Sequence, residues 1–231
     1  MTLKESLINE IGNTLNDRWT EDVAIVVPSP ENILLNDNHA KLLEKAVVLY
    51  ADLDGSTSMV DKSNWYFSAE IYKCYLRAAS QIIKSEGGQI TAYDGDRVMA
   101  IFTGKTKNTA ATRAGLKINS AVLDIIRPAI DKYYPTNTFV LKHVIGIASS
   151  DLHAVRIGVR GDNDITWVGS AANHAAKLTE LSEKPIWITK AVYDSLAKEA
   201  KFSNGQNMWS ARTWTRMNNM NIYCSVYKWS L

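Results

Sequence analysis

Residues 46–57 read AVVLYADLDGST, and the fold of the chain turns on this stretch. Ala46 to Ala51 is a short apolar run bounded by polar residues, the pattern of a buried strand. The run delivers Asp52 and Asp54 at its end and then the turn residues Gly55, Ser56 and Thr57. Side chains alternate along a strand, so Tyr50, Asp52 and Asp54 begin on one face. A carboxylate at a strand end, followed by a Gly-Ser-Thr turn with backbone N–H groups, suits a cation that bridges to phosphate. The same residues also serve as a capped turn after a core strand.

Working outward, Ser63–Ser85 carries apolar residues at helical spacing (Phe67, Ile71, Cys74, Tyr75, Ala78, Ile82) and stops at Gly87-Gly88. Gln89–Tyr93 and Arg97–Phe102 alternate like strands around Asp94-Gly95, a strong hairpin dipeptide. A second helical stretch, Thr109–Ile126, should end before Pro128. Phe139–Ser149 reads as a strand and Ala154–Gly161 as its neighbour, followed by an Ala-rich helix over Gly169–Leu181. The tail alternates strands (Ile186–Thr189, Ile222–Trp229) with a helix near Ala191–Ala200. The order β-α-β-β-α-β predicts an α+β fold of the ferredoxin-like or palm kind, an antiparallel sheet with two helices on one face. In it the first strand lies beside the central hairpin, so Asp52 and Asp96 converge although 44 positions separate them.

Residues 1–43 read as an N-terminal extension and 44–231 as the main domain. In the extension, Leu3, Leu7, Ile11 and Leu15 recur every fourth position, marking a helix over residues 2–18. It is either a docking or dimer helix or one packed on the core, the second being the expectation. Val23–Val27 and then Pro28-Ser29-Pro30 read as an extended piece and a turn.

The 231 residues, 46% hydrophobic and 22% charged, suit one soluble globular core. A net charge of +2 argues against a dedicated nucleic-acid binder. Residues 1–40 hold two basic and seven acidic residues, leaving the remainder at +7, which suits a polyanionic small substrate. No cleavable signal opens the chain, and no apolar run approaches the roughly 18 residues of a membrane span. Cys74 and Cys224, 150 positions apart, read as reduced buried thiols. His39, His143, His153 and His174 lack zinc-type spacing. The expectation is a cytoplasmic protein that binds neither membrane nor nucleic acid.

Two convergent carboxylates are costly unless something neutralises them. A pair of divalent ions roughly 3.5–4 Å apart does so, and can activate an attacking oxygen and stabilise a leaving phosphate. The expected chemistry is attack at a phosphorus atom of a nucleoside triphosphate, where positioning and charge neutralisation do most of the work. A second group of residues appears in Thr166–Leu178, TWVGSAANHAAKL, where Asn173 and Lys177 share a helix face. An amide and a cation presented together can orient a ribose and stabilise phosphate charge. They are also commonplace on a solvated helix.

The pieces VVLYADLDGST, GGQITAYDGDRVMAIF and WVGSAANHAAKLTEL, in this order and spacing, resemble the class III nucleotidyl cyclase domain over roughly residues 44–190. The resemblance implies a head-to-tail homodimer with sites at the interface. One protomer would supply metal-binding Asp52, the Leu53 carbonyl and Asp96, holding two Mg²⁺ or Mn²⁺ ions. The other would supply Asn173, matching the ribose-orienting Asn, and Lys177, which stands where the family usually has a transition-state Arg. Gly55, Ser56 and Thr57 match the phosphate loop. The reaction would be attack of the ribose 3′-hydroxyl on the α-phosphorus, giving a 3′,5′-cyclic nucleotide and pyrophosphate.

The departures from the pattern concern the base. Adenine-selecting members carry Lys where this chain has Ala92, and often Asp where it has Thr166, although Thr also occurs there in bacterial purine cyclases. Tyr50 replaces the common Phe and aims a hydroxylated ring at the pocket; it also reads as a core aromatic. Lys at 177 keeps the charge and loses bidentate geometry. The late Lys that contacts phosphate is missing, with Arg212 and Arg216 as possible substitutes. Together these features resemble the bacterial pyrimidine cyclases of the Pycsar antiphage systems, which make cyclic UMP or cyclic CMP to activate a separate effector. UTP is favoured over CTP on overall resemblance alone. The rival readings are an adenylate or guanylate cyclase, a non-catalytic nucleotide-binding module, and a haloacid dehalogenase-type phosphatase. The phosphatase motif is nearly matched by Asp52–Thr57, with Asp52 as nucleophile and Asp54 as acid.

Overall fold

The computed structural model describes residues 1–35 and 37–231. The N-terminal segment forms helix α1 (Leu3–Asn16) and a short strand β1 (Thr20–Val23). Strand β2 (His39–Asp54) then runs the full height of the sheet, followed by helices α2 (Ser56–Lys62) and α3 (Trp65–Ser85). The hairpin expected around Asp94-Gly95 is present as β3 (Gln89–Asp94) and β4 (Arg97–Phe102). Gly95 sits at φ +60°, a conformation that costs a side-chain-bearing residue and lets the turn close tightly. Helices α4 (Lys107–Ala121) and α5 (Arg127–Tyr133) precede the long strand β5 (Lys142–Val159), its partner β6 (Asp162–Val168) and helix α6 (Ser170–Leu178). The tail adds β7 (Ile186–Thr189), α7 (Lys190–Asp194), α8 (Lys198–Lys201), β8 (Phe202–Ser203), β9 (Gln206–Asn207), β10 (Ser210–Trp214) and β11 (Met220–Ser225).

The strand order is β10-β11-β7-β5-β2-β4-β3, with β1 added to β2 and β6 to β5. Within it, β5-β2-β4-β3 is the antiparallel βαββαβ core: β2 pairs antiparallel with both β4 and β5. The division expected at 43/44 falls inside β2, where the register with β5 breaks between Leu43 and Ala46. One sheet face buries Val47, Leu49, Ala51 and Leu53 of β2 against α3 and α4, through Phe67, Ile71, Tyr75, Ala114 and Leu116. Each of the larger side chains, Val, Leu, Ile and Phe, contributes about 2 kcal/mol when removed from water. On the other face Val48, Met99, Ile101 and Ala148 meet Ala171, Ala172 and Ala175 of α6. Alternation along β2 therefore sends Tyr50 and Asp52 to the α6 side.

Four expectations are corrected. Helix α1 forms, capped by Thr2 with Glu5 reaching back, but buries none of its residues, so it does not pack on the core. Its C-terminal end is tied down by Asn38, whose Nδ2 donates to the carbonyls of Thr14 and Asp17 at 2.8 Å each. The second long helix does not stop before Pro128; a π-helical stretch, Val122–Ile126, carries it into α5 with Pro128 in the first turn. A first-turn proline needs no N–H partner, and the π turn widens the backbone just ahead of it. Ala154–Gly161 is not a separate strand: β5 continues through it to Val159 and pairs with β6. Cys74 is exposed; both cysteines are free, and Cys224 alone is buried.

Candidate active site

The site assembles from the alternation of β2 and the register of the central strands. Tyr50 lies opposite Met99 of β4 and Gly146 of β5, and Met99 in turn lies opposite Ala92 of β3. Gly146, Tyr50, Met99 and Ala92 thus form one cross-strand row beside α6. Ala92 is exposed, Tyr50 half-buried and Met99 buried. One step along, the Ala51–Val98 register leads to Asp52 facing Arg97.

Asp52 and Asp96 come together, as the hairpin geometry requires. Burial first, and then the charge of Asp96, push the Asp52 carboxyl up to about 6. Arg97, Thr179 and the Leu53 backbone act in the opposite direction. Asp96 Oδ2 is buried and meets no hydrogen-bond partner. Beneath the pair, the Tyr75 hydroxyl donates to the Asp52 carbonyl oxygen at 3.3 Å. Burial holds that hydroxyl well above its ordinary pKa, so it stays a donor.

A repelling carboxylate pair with an orphaned oxygen is what a hard cation relieves. Asp52 and Asp96, with the Leu53 carbonyl between them in sequence, fit divalent ions such as Mg²⁺ or Mn²⁺. Among the described residues no cluster of three or more His, Cys, Asp or Glu is formed. Two carboxylates suit an ion that takes its remaining ligands from water and substrate phosphate.

Gly55, Ser56 and Thr57 enter α2, with Gly55 as its N-cap and the two hydroxyl residues in its first turn. Thr166 stands on β6, opposite Val155, and no strand pairing joins it to Tyr50 or Ala92. Asn173 and Lys177 occupy the exposed side of α6, while Ala171, Ala172, Ala175 and Leu178 are buried beneath. Lys177 Nζ is 3.9 Å from Met217 Sδ, and Lys177 is not among the charges that act on Asp52. The single protomer therefore leaves the amide and the cation facing outward rather than toward its own carboxylates.

Two further residues belong to the site. Arg97, the residue after Asp96, places its guanidinium carbon 5.7 Å from the centre of the Tyr50 ring. Its Nη2 stands 3.4 Å from an Asp94 carboxylate oxygen. Thr179 is buried at the foot of α6, where its hydroxyl donates to the Ala176 carbonyl at 2.6 Å, and it is near enough to Asp52 to act on that carboxyl. In sequence, the only sign of Arg97 is an arginine directly after an acidic turn. Thr179 carries no sign at all, because nothing local brings it to β2.

No family model matches the chain. Over 231 residues, all of both chains, it is 55% identical to the uridylate cyclase of Burkholderia cepacia. It is 48% identical over the same full span to the uridylate cyclase of Xanthomonas perforans. In fold it resembles the adenylyl cyclase CyaB from P. aeruginosa, with a TM-score of 0.66 at 21% identity, over 80% of this chain and 95% of that one. A mixed sheet of this order, with Asp52 and Asp96 meeting at its end and full-length relatives of this kind, places the chain in the class III nucleotidyl cyclases, as a phosphorus–oxygen lyase of the uridylate cyclase family.

Proposed function

We propose that the protein converts UTP to 3′,5′-cyclic UMP and pyrophosphate, in a site shared between two copies of the chain. The observation that carries the reading is the meeting of Asp52 with Asp96 on a sheet face where Ala92 stands in the place of an adenine-selecting Lys. The names and full-length identity of the relatives from Burkholderia cepacia and Xanthomonas perforans support a uracil base.

In this reading Asp52, the Leu53 carbonyl and Asp96 hold two divalent ions, and Gly55, Ser56 and Thr57 face the triphosphate. When bound, the ions neutralise phosphate charge and lower the pKa of the attacking hydroxyl. Asn173 of the second copy orients the ribose, and Lys177 offsets charge that develops on the transferring phosphorus. Thr166 and Tyr50 take the base. The 3′-hydroxyl oxygen bonds to the α-phosphorus as the bond from that phosphorus to the bridging oxygen breaks; the hydroxyl proton passes to solvent and pyrophosphate leaves. The outward position of Asn173 and Lys177 on α6 supports a two-fold, interface-sharing arrangement.

The cyclic product then acts as a second messenger for a separate effector in antiphage defence, made in the cytoplasm. No helix among the described residues is long and apolar enough to cross a membrane. The phosphatase reading loses its footing in the sheet. Its nucleophile belongs at the end of a strand in a parallel sheet, whereas β2 is antiparallel to β4 and to β5.

The test is incubation of purified protein and Mn²⁺ or Mg²⁺ with each of the four nucleoside triphosphates, with mass analysis of the products. Cyclic UMP and pyrophosphate are expected. Consumption of ATP alone overturns the base assignment, and inorganic phosphate released from a monophosphate overturns the cyclase reading.

A further inference from the structure

We propose that Arg97 is the base-selecting residue of this enzyme, its guanidinium donating to the 4-carbonyl oxygen of a uracil held against Tyr50. This rests on the cyclase reading above and adds to it the group that separates UTP from CTP.

Three observations place Arg97 beside the residues read as taking the base. It heads β4 on the same face as Met99, and the cross-strand row of Tyr50, Met99 and Ala92 lies next to it. Its guanidinium carbon lies 5.7 Å from the Tyr50 ring centre, the distance of a cation–π contact. Its Nη2 has only a long 3.4 Å approach to Asp94, whose side chain is 82% exposed. The guanidinium lies between the ring and the carboxylate, yet among the described residues no short hydrogen bond uses its donors. A planar group with five N–H donors, one-third exposed beside the Tyr50 ring, is prepared for an acceptor on a ligand.

The chemistry of the bases then decides. Arginine is always charged and has no acceptor. Uracil presents a carbonyl acceptor at position 4, whereas cytosine presents an amino donor there, which would leave the guanidinium facing another N–H. Adenine meets the same objection through its amino group. Guanine carries an acceptor at the corresponding place and pairs well with arginine in other settings. Its exclusion falls to the bulk of Tyr50 beneath the guanidinium, not to Arg97.

A competing role is visible in the same geometry. Arg97 is one of the charges that act on Asp52, so it can serve as a counter-ion for the carboxylate pair until the metal enters. The two roles separate by experiment. UTP and CTP are supplied together in equal amounts to wild type, Arg97→Gln and Arg97→Lys, the two cyclic products are quantified, and the Mn²⁺ concentration for half-maximal rate is measured. Glutamine can donate or accept, and lysine keeps the charge without the plane.

For base selection, the wild type makes cyclic UMP in excess, and both variants lower the UMP:CMP product ratio by about tenfold or more, as expected for the loss of one base-reading contact. A counter-ion role instead shifts the Mn²⁺ requirement of Arg97→Gln and leaves the product ratio of both variants at the wild-type value; that result overturns the proposal. A wild type that prefers CTP overturns it as well. A wild type that makes no cyclic nucleotide refutes the cyclase reading itself, which sets that failure apart. Should Arg97→Gln prove unfolded, the ratio measured on Arg97→Lys decides alone.

Discussion

Gly146 lies so close beneath α6 that a Cβ built on it would stand 2.1 Å from the carbonyl oxygen of Ala175. Nothing flexible occupies that gap, since the opposing atom is helix backbone. The contact sets how closely α6, which carries Asn173 and Lys177, packs on the sheet that bears Asp52. Gly146→Ala is therefore expected to push the helix away, lowering stability by about 2 kcal/mol through overpacking and cyclase activity by far more than the fraction unfolded. Denaturant melts read beside turnover at saturating Mn²⁺ check this; unchanged activity would mean the helix position is immaterial.

Asp52 and His143 pull the stability of the metal-free protein in opposite directions with pH. His143 is buried, with Nε2 lacking a partner, and burial, then Arg127, lower its pKa to about 3. Its folded value lies below the unfolded one, so the cost of folding grows as pH falls from about 6.5, reaching about 2 kcal/mol at pH 5. Asp52 has its folded value raised to about 6. Its cost is present above that pH and vanishes below about 4; allowing for solvent screening it amounts to about 1 kcal/mol. Thermal melts in chelator from pH 4 to 8 should show His143→Leu losing the acid slope. Asp52→Asn should melt higher than wild type at pH 7.5 but not at pH 4. Added Mn²⁺ should then raise the melting temperature of wild type and leave Asp52→Asn nearly unmoved.

Glu86 closes α3 and ties it to α4. Its carboxylate is 5% exposed, 2.5 Å from Arg113 Nη2 and 2.9 Å from Lys117 Nζ. Burial alone would raise its pKa, but the two cations hold it below the usual carboxylate value. Removing it leaves two partly buried cations uncompensated, so Glu86→Ala should cost about 3 kcal/mol. The loss should be largest at neutral pH and shrink as pH falls below the carboxylate range. Urea melts at pH 7 and pH 4 measure it, while the ratio of cyclic products should not change.

The shared site has a numerical signature. Asp52→Ala and Asn173→Ala chains, each inactive alone, should regain about one quarter of wild-type activity when mixed and allowed to exchange. Half the dimers are then mixed, and each carries one complete site of two. Sedimentation should show a dimer throughout, and an absence of rescue would place the whole reaction inside one protomer.

Much of this could be read from order and spacing. The run Ala46–Ala51 before two aspartates, the Asp94-Gly95 hairpin and the Ala-rich helix are local patterns, and periodicity reports such elements directly. Tyr50, Asp52 and Asp96 followed from alternation and a tight turn. Local patterns misled where their neighbours decided the outcome. Pro128 passes within a helix because a π turn precedes it, and Ala154–Gly161 continues β5 because β6 offers it a partner. The stripe on α1 reads as a core-facing helix, since periodicity reports a face without saying what covers it.

From residue order alone came the βαββαβ class and the choice of the two carboxylates, because the order of locally patterned elements restricts which strands can pair and which turns meet. Only the folded arrangement decided that Arg97 lies over Tyr50, that Thr179 comes near Asp52, and that Asn173 and Lys177 face away from their own carboxylates. Those relationships join residues across strands or from a helix to the sheet beneath it, and packing, not local pattern, sets such distances.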